Sequence, residues 1–103
     1  MKRLSDYTGD EAIEKSGEVM EVFFSILEDP ETTEEISKNL SVKTIGRVMA
    51  KHKEEAYKMM SIVDDTPITA QNAFPRFFAL FTDIASDPFF VDFFSAAAAK
   101  TEQ

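Results

Sequence analysis

Cysteine is missing from this chain, histidine occurs once and glycine three times, and each scarcity removes a class of chemistry. Without thiols there is no disulfide and no thiolate metal site, and nothing points to an oxidising compartment. One imidazole, His52, supplies neither a histidine metal cluster nor a catalytic relay with a second imidazole. Gly9, Gly17 and Gly46 stand far apart, so no glycine-rich loop is available to cradle phosphates. Asp64-Asp65-Thr66-Pro67 lacks the alternating ligands and the glycine of a calcium loop. Uncharged apolar stretches such as Phe93 to Ala99 fall far short of the ~20 residues that a membrane span requires. The opening Met1-Lys2-Arg3-Leu4-Ser5-Asp6 is followed by Asp10, Glu11 and Glu14 rather than by an apolar run. No signal peptide is therefore expected, and the cytoplasm is the expected location.

Negative charge and phenylalanine are what the chain has in abundance. Its net charge is −8, which repels phosphate backbones and anionic lipid, so neither a nucleic-acid nor a membrane partner is expected. The charge is uneven: residues 1–40 carry −7, residues 41–63 carry +3 and residues 64–103 carry −4. A basic middle between acidic ends suits solvated helix faces that complement one another, with electrostatic self-association into a homo-oligomer as the alternative. At 103 residues the chain suits one domain, 1–103, able to bury a core without staples.

Helical spacing dominates, and no strand alternation, heptad run or low-complexity tract is present. Thr8 and Glu11 have the spacing of a capping box, and Ile13, Gly17, Met20, Phe24 and Leu27 then recur at helical intervals, predicting a first helix over 9–28. Asp29-Pro30 supplies a cap and a proline for the first helical position, predicting a short helix near 31–39. Ser41 caps a run of three- and four-residue apolar steps from Val42 to Val63, which reads as one long amphipathic helix with Lys51–Glu55 among its exposed pairs. Residues 64–68, containing Pro67, form the one linker. A fourth helix is expected to start after Asn72, with Pro75 in its first turn, and to end near Ser86. Asp87-Pro88 launches a last helix over 88–99, and the tail Lys100–Gln103 is expected to fray. The fold class is thus all-α: a compact bundle of about five helices, the last two phenylalanine-rich. One pattern occurs twice, Phe23-x-x-Ile26-x-x-Asp29-Pro30 and Phe81-x-x-Ile84-x-x-Asp87-Pro88, each marking a sharp corner between helices.

No catalytic constellation emerges from the polar residues, and an enzyme is not expected. His52 lies on the apolar line of the third helix between Lys51 and Lys53, which suits a packed or bridging histidine better than a general base. Glu11, Glu14, Glu18 and Glu21 draw one outward acidic stripe on the first helix. Lys43, Arg47 and Lys51, spaced by fours, draw a basic stripe on the third, which either pairs with the acidic first helix or docks an acidic partner.

Eight of the ten phenylalanines fall between Phe74 and Phe94. Burying each is worth roughly 1.5–3 kcal/mol, so this end is packed or bound. Phe74, Phe77, Phe78 and Phe81 lie within about 100° on a helical wheel, an ordinary core face. In the last helix Phe89, Phe90, Val91, Phe93 and Phe94 fan across roughly 200°, more than one contact usually covers. The Phe89 and Phe93 edge is expected inward. Phe90, Val91 and Phe94 are then either buried between neighbouring helices of the same chain or form a contact for a protein partner.

Taken together, the opening Met1-Lys2-Arg3-Leu4-Ser5-Asp6-Tyr7-Thr8-Gly9-Asp10-Glu11-Ala12, the central Lys51-His52-Lys53-Glu54-Glu55-Ala56, and the closing Phe81-Thr82-Asp83-Ile84-Ala85-Ser86-Asp87-Pro88 with Phe93-Phe94-Ser95 resemble the small tail assembly chaperones of long-tailed phages and prophages of Gram-positive bacteria. The resemblance implies an all-helical, non-enzymatic protein without cofactor or metal. Such a protein coats the aggregation-prone tape-measure protein, brings tail-tube subunits to it and leaves before the tail is complete. Related proteins are often made in two forms by a translational frameshift.

Overall fold

Prolines and caps divide the chain into helices much as their positions predict. The computed structural model describes residues 2–88 together with Phe90 and Asp92, and the five α-helices in it are α1 (Gly9–Leu27), α2 (Pro30–Lys38), α3 (Val42–Lys51), α4 (Lys53–Val63) and α5 (Ala73–Ala85), preceded by a 3-10 turn over Leu4–Asp6. No strand occurs among the described residues, and the bundle is compact and all-α. Pro88, Phe90 and Asp92 are also helical. Val91, Phe94, most of the expected last helix and the tail Lys100–Gln103 lie outside the described residues.

Two of the expected caps are made. The Asp29 carboxylate accepts from the Glu31 N–H at 3.1 Å, and the Ser41 hydroxyl accepts from the Thr44 N–H at 3.2 Å. Each satisfies a donor that the helix start leaves without an intrahelical partner. The capping box at Thr8 is not made: its side chain makes no capping hydrogen bond. Gly9 takes a left-handed φ of 62° at that turn, so the chain does not pass from extended directly into helical geometry as a capping box requires. Asn72 does precede α5, and Pro75 does lie in its first turn, where a missing N–H costs nothing. The Asn72 side chain, however, serves the loop behind it, accepting from the Thr69 N–H at 2.9 Å and donating to the Pro67 carbonyl at 3.1 Å.

The long third helix is two helices. His52, at φ −113° and ψ 53°, leaves helical geometry and separates α3 from α4. Apolar steps of three and four continue across the break, which is why the sequence reads as one helix; the break comes from the contacts that His52 makes with α2, described below.

Val19, Phe23, Ile26, Ile45, Val48, Met59, Phe77 and Phe81 form the deepest layer of the core. α1 lies along α4, α5 crosses α3 and α4, and α2 bridges α1 to α3. Phe77, Leu80, Phe81 and Ile84 are buried while Phe74 and Phe78 are half-buried beside them, as the expected core face of α5 requires. The two copies of the repeated pattern meet in the centre, where the Phe23 and Phe81 rings stand edge to face with centroids 5.6 Å apart. Such pairs add about 0.5–1.5 kcal/mol beyond area burial.

Arg76 holds the exit from α4. It is only 5% exposed, and its guanidinium donates to the carbonyls of Thr66 at 2.8 Å, Asp64 at 2.7 Å and Met60 at 3.3 Å. The last carbonyls of a helix have no partner within it and carry the negative end of its dipole, so a buried cation belongs there. The N-terminal segment closes over the same region. The Lys2 N–H donates to Asp64 at 2.8 Å, Arg3 pairs with Asp83, with Nε 3.2 Å from Oδ2, and the Tyr7 hydroxyl donates to the Val63 carbonyl at 2.6 Å.

Candidate partner-binding surface

Phe90 is a core residue. It is 7% exposed, with its ring edge-on to Phe23 at 5.5 Å and tilted on Phe24 at 6.1 Å. Of the two alternatives for its edge, burial within the chain holds for Phe90, which is therefore not an outward contact for a partner: its ring closes on the end of α1. Of the other two residues of that edge, Val91 and Phe94, nothing is described.

The basic stripe of α3 pairs with α2, not with α1. Arg47 reaches Glu35 at 3.7 Å, and Lys51 reaches Asp29 at 2.9 Å and Glu31 at 3.4 Å. Lys43 is exposed and makes no ion pair with any described residue. Lys51 is drawn away from the expected partner Glu55 by the Asp29 carboxylate, which also accepts from the Thr32 hydroxyl at 2.8 Å and lies 3.2 Å from His52 Nε2. His52 is 3.1 Å from the Thr32 hydroxyl as well, so it is the bridging histidine that its place in the sequence suggests. The Lys51 ammonium, the Thr32 hydroxyl and the Glu31 N–H together hold the Asp29 carboxyl well below its ordinary range, and Asp29 in turn raises the Lys51 ammonium. The Thr66 hydroxyl, with the N–H groups of Lys2 and Thr66, lowers Asp64 in the same way. Both carboxylates are structural anions at helix ends.

Two concavities stand out among the described residues. A cavity of about 30 Å³, the size of one water, lies between Leu4, Met60, Val63, Arg76 and Leu80. An open cleft between α2 and α3 is lined by the Glu31, Glu35, Arg47 and Lys51 side chains that already pair across it. Among the described residues no group of His, Asp and Glu is placed to hold a metal ion. No described helix is long and apolar enough to cross a membrane.

The face that stands out is on α1. Val19, Phe23 and Ile26 are the buried residues of α1, whereas Ile13 is 75% and Phe24 42% exposed. On a helical wheel at ~100° per residue the line Ile13, Gly17, Met20 and Phe24 lies about 120° from the buried face. The reason is that α1 carries apolar residues on more than half its circumference, and its packing along α4 uses the other part. Immediately beside that line run Asp10, Glu14 and Glu21, with Glu11 and Glu18 beyond them, all exposed. None of the five forms an ion pair with a described residue. The expected acidic stripe is thus present as a solvated ridge, with Ile13 exposed along its edge, Met20 packed against the core and Phe24 in ring contact with Phe23 and Phe90.

Compared with protein-family models, with curated proteins and with solved structures, the chain matches none.

Proposed function

We propose that the protein is a tail assembly chaperone of a long-tailed phage or prophage, which binds the tape-measure protein and keeps it soluble while tail-tube subunits are recruited. The observation that carries this reading is the solvated ridge of α1 carboxylates, Asp10, Glu11, Glu14, Glu18 and Glu21, which have no cation partner among the described residues and run beside the exposed Ile13. A carrier of long apolar helices needs a surface that accepts a helix and a charge that keeps the complex dispersed. This chain supplies the charge on α1, with Ile13 open to solvent beside it. The resemblance across the opening, central and closing motifs supports the same reading.

In this role the protein works in the bacterial host cytoplasm, on protein partners, without catalysis, cofactor, nucleic acid or membrane. A contact made through one helix would be modest, compatible with release as the tail is completed. Repeated binding along one long partner would multiply weak contacts through effective concentration. Co-expression with a tape-measure protein of a long-tailed phage of Gram-positive bacteria tests the proposal. The expected outcome is a soluble complex that co-elutes on size exclusion, where the tape-measure protein alone precipitates. A tape-measure protein that stays insoluble, beside a chaperone that forms a stable homo-oligomer and ignores it, would sink the idea.

A further inference from the structure

We propose that residues 2–7 are a displaceable cover over a docking groove at the elbow between α4 and α5. The groove's occupant is a segment of a partner protein in which an arginine is followed directly by a leucine-like side chain. These residues are distinct from the α1 ridge, so the groove stands apart from the tail-assembly reading.

The cover is lightly held. Lys2, Arg3, Ser5 and Asp6 are exposed, Leu4 and Tyr7 are half-buried, and no residue of the segment is fully buried. Its attachments are few: the Lys2 N–H on Asp64, Arg3 on Asp83, the Tyr7 hydroxyl on the Val63 carbonyl, and Leu4 against the core. The Arg3 side chain is 52% exposed, and an ion pair so open to water does little to hold a segment down. The water-sized cavity between Leu4, Met60, Val63 and Leu80 shows that the cover fits its groove less closely than a core packs. Beyond Tyr7 the chain enters α1 through Gly9, whose left-handed φ of 62° sets the segment off from the helix. A Cβ built at Gly9 meets no atom within 4 Å, so the chain is free of neighbours at this point. Segments with so little buried surface open at a small fraction of the global unfolding free energy.

The groove does not depend on its cover. Arg76 fixes the carbonyls of Met60, Asp64 and Thr66 from within α5, so the elbow keeps its shape when the segment leaves. The Asp64 carboxylate is also held by the N–H and hydroxyl of Thr66, at 2.9 and 2.7 Å. Opening uncovers Met60, Val63 and Leu80, which are 5–6% exposed beneath the cover, in a groove that Asp64 and Asp83 also line. Among the described residues Asp83 pairs with no cation but Arg3. Carboxylates beside an apolar floor select a guanidinium next to an apolar side chain, and Arg3 and Leu4 show how such a pair sits. The tether gives the cover an effective concentration on the order of millimolar, so it shuts out weak ligands and yields to a segment that binds more tightly.

NMR titration of the full chain with a synthetic peptide copying residues 2–7 tests the proposal. Arg3→Glu sets a carboxylate against Asp83 and should open the cover. The peptide is then expected to bind at least about tenfold more tightly than to the natural chain, with its largest shifts at the amides of Asp64, Leu80 and Asp83. The melting temperature should stay within about 5 °C of the natural chain's, because the lost pair is exposed. A peptide with glutamate in place of the arginine should bind neither protein. Arg3→Glu combined with Asp83→Arg restores the pair with its charges reversed, and should close the cover and exclude the arginine peptide again. Lys53→Glu makes the same charge change on an exposed residue at the opposite end of α4, and should behave as the natural chain does.

Equal peptide binding to Arg3→Glu and to the natural chain overturns the proposal. So does a larger fall in melting temperature, which would make the segment part of the core. Tighter binding to Lys53→Glu overturns it by showing general attraction to an acidic protein. A dimer of the natural chain that Arg3→Glu dissociates overturns it as well, by making a second copy's segment the occupant. None of these measurements uses a tail protein, so co-expression with a tape-measure protein can succeed or fail independently of them.

Discussion

The corners at Asp29-Pro30 and Asp87-Pro88 share a backbone and differ in what they hold. In each, the aspartate N–H donates to the carbonyl of the isoleucine three residues earlier, Ile26 or Ile84, at 3.2 Å. Each places a buried phenylalanine two turns before the proline, and those two rings meet. The corners diverge at the third residue after the aspartate. In the first it is Thr32, buried and bonded to Asp29 and His52; in the second it is Phe90, buried on Phe23 and Phe24. The proline and the cap position therefore fix the turn, while one side chain decides whether the corner is locked by polar bonds or by aromatic packing.

Breaking the element common to both corners should cost most. Phe81→Ala removes a ring with no exposure from the meeting point of the two corners, with an expected loss of about 3–5 kcal/mol in urea unfolding. A loss under about 1 kcal/mol would mean that the site refills and that the two corners are not coupled through it. Next comes the residue at which they differ. Phe90→Ala should cost about 3 kcal/mol, whereas Thr32→Val, which keeps shape and removes the hydroxyl, should cost about 1 kcal/mol. Equal losses would contradict the division into aromatic and polar locks.

Acid should separate the corners in kind. The folded protein favours the Asp29 carboxylate below its ordinary value of 3.8, so the associated stability is complete above that value and is lost as pH falls below it. Urea midpoints measured from pH 7 to pH 3 should therefore fall, and Asp29→Asn should flatten the acid limb, with Asp64→Asn flattening it further. A ring-on-ring lock does not titrate, so Phe90→Ala should leave the slope unchanged. The smallest effect compares the prolines. Pro30→Ala and Pro88→Ala should each cost about 0.4–1 kcal/mol through the freer unfolded chain. A clear inequality between them would show that the shared backbone is not one device.

Much of the frame was legible because prolines and caps act locally. Asp29, Ser41 and Pro75 could be placed from their neighbours alone. Contacts distant in sequence decided the rest. The break at His52 depends on Asp29 and Thr32, more than 19 residues earlier, and no three- or four-residue step reveals it. α1 offered two apolar lines, Ile13-Met20-Phe24 and Val19-Phe23-Ile26, and only α4 selects between them. The spacing that predicts the helix follows the first line, whereas the fully buried residues are those of the second. Phe90 was left between burial and a partner contact for a related reason: a wheel shows how wide an apolar face is but not how many neighbours cover it. Arg76 did leave a signal, a lone cation in an otherwise apolar helix start, that a search for partners of unsatisfied carbonyls would have found.

Arg76 also bears on how the molecule can act. By gripping carbonyls at positions 60, 64 and 66 from within α5, it makes the proline-containing passage between α4 and α5 a welded elbow instead of a joint. The phenylalanine interior cannot be offered to a client by swinging the second half away unless a buried guanidinium first surrenders all three acceptors. Any grip on another chain must then be exercised from the outside of a rigid body.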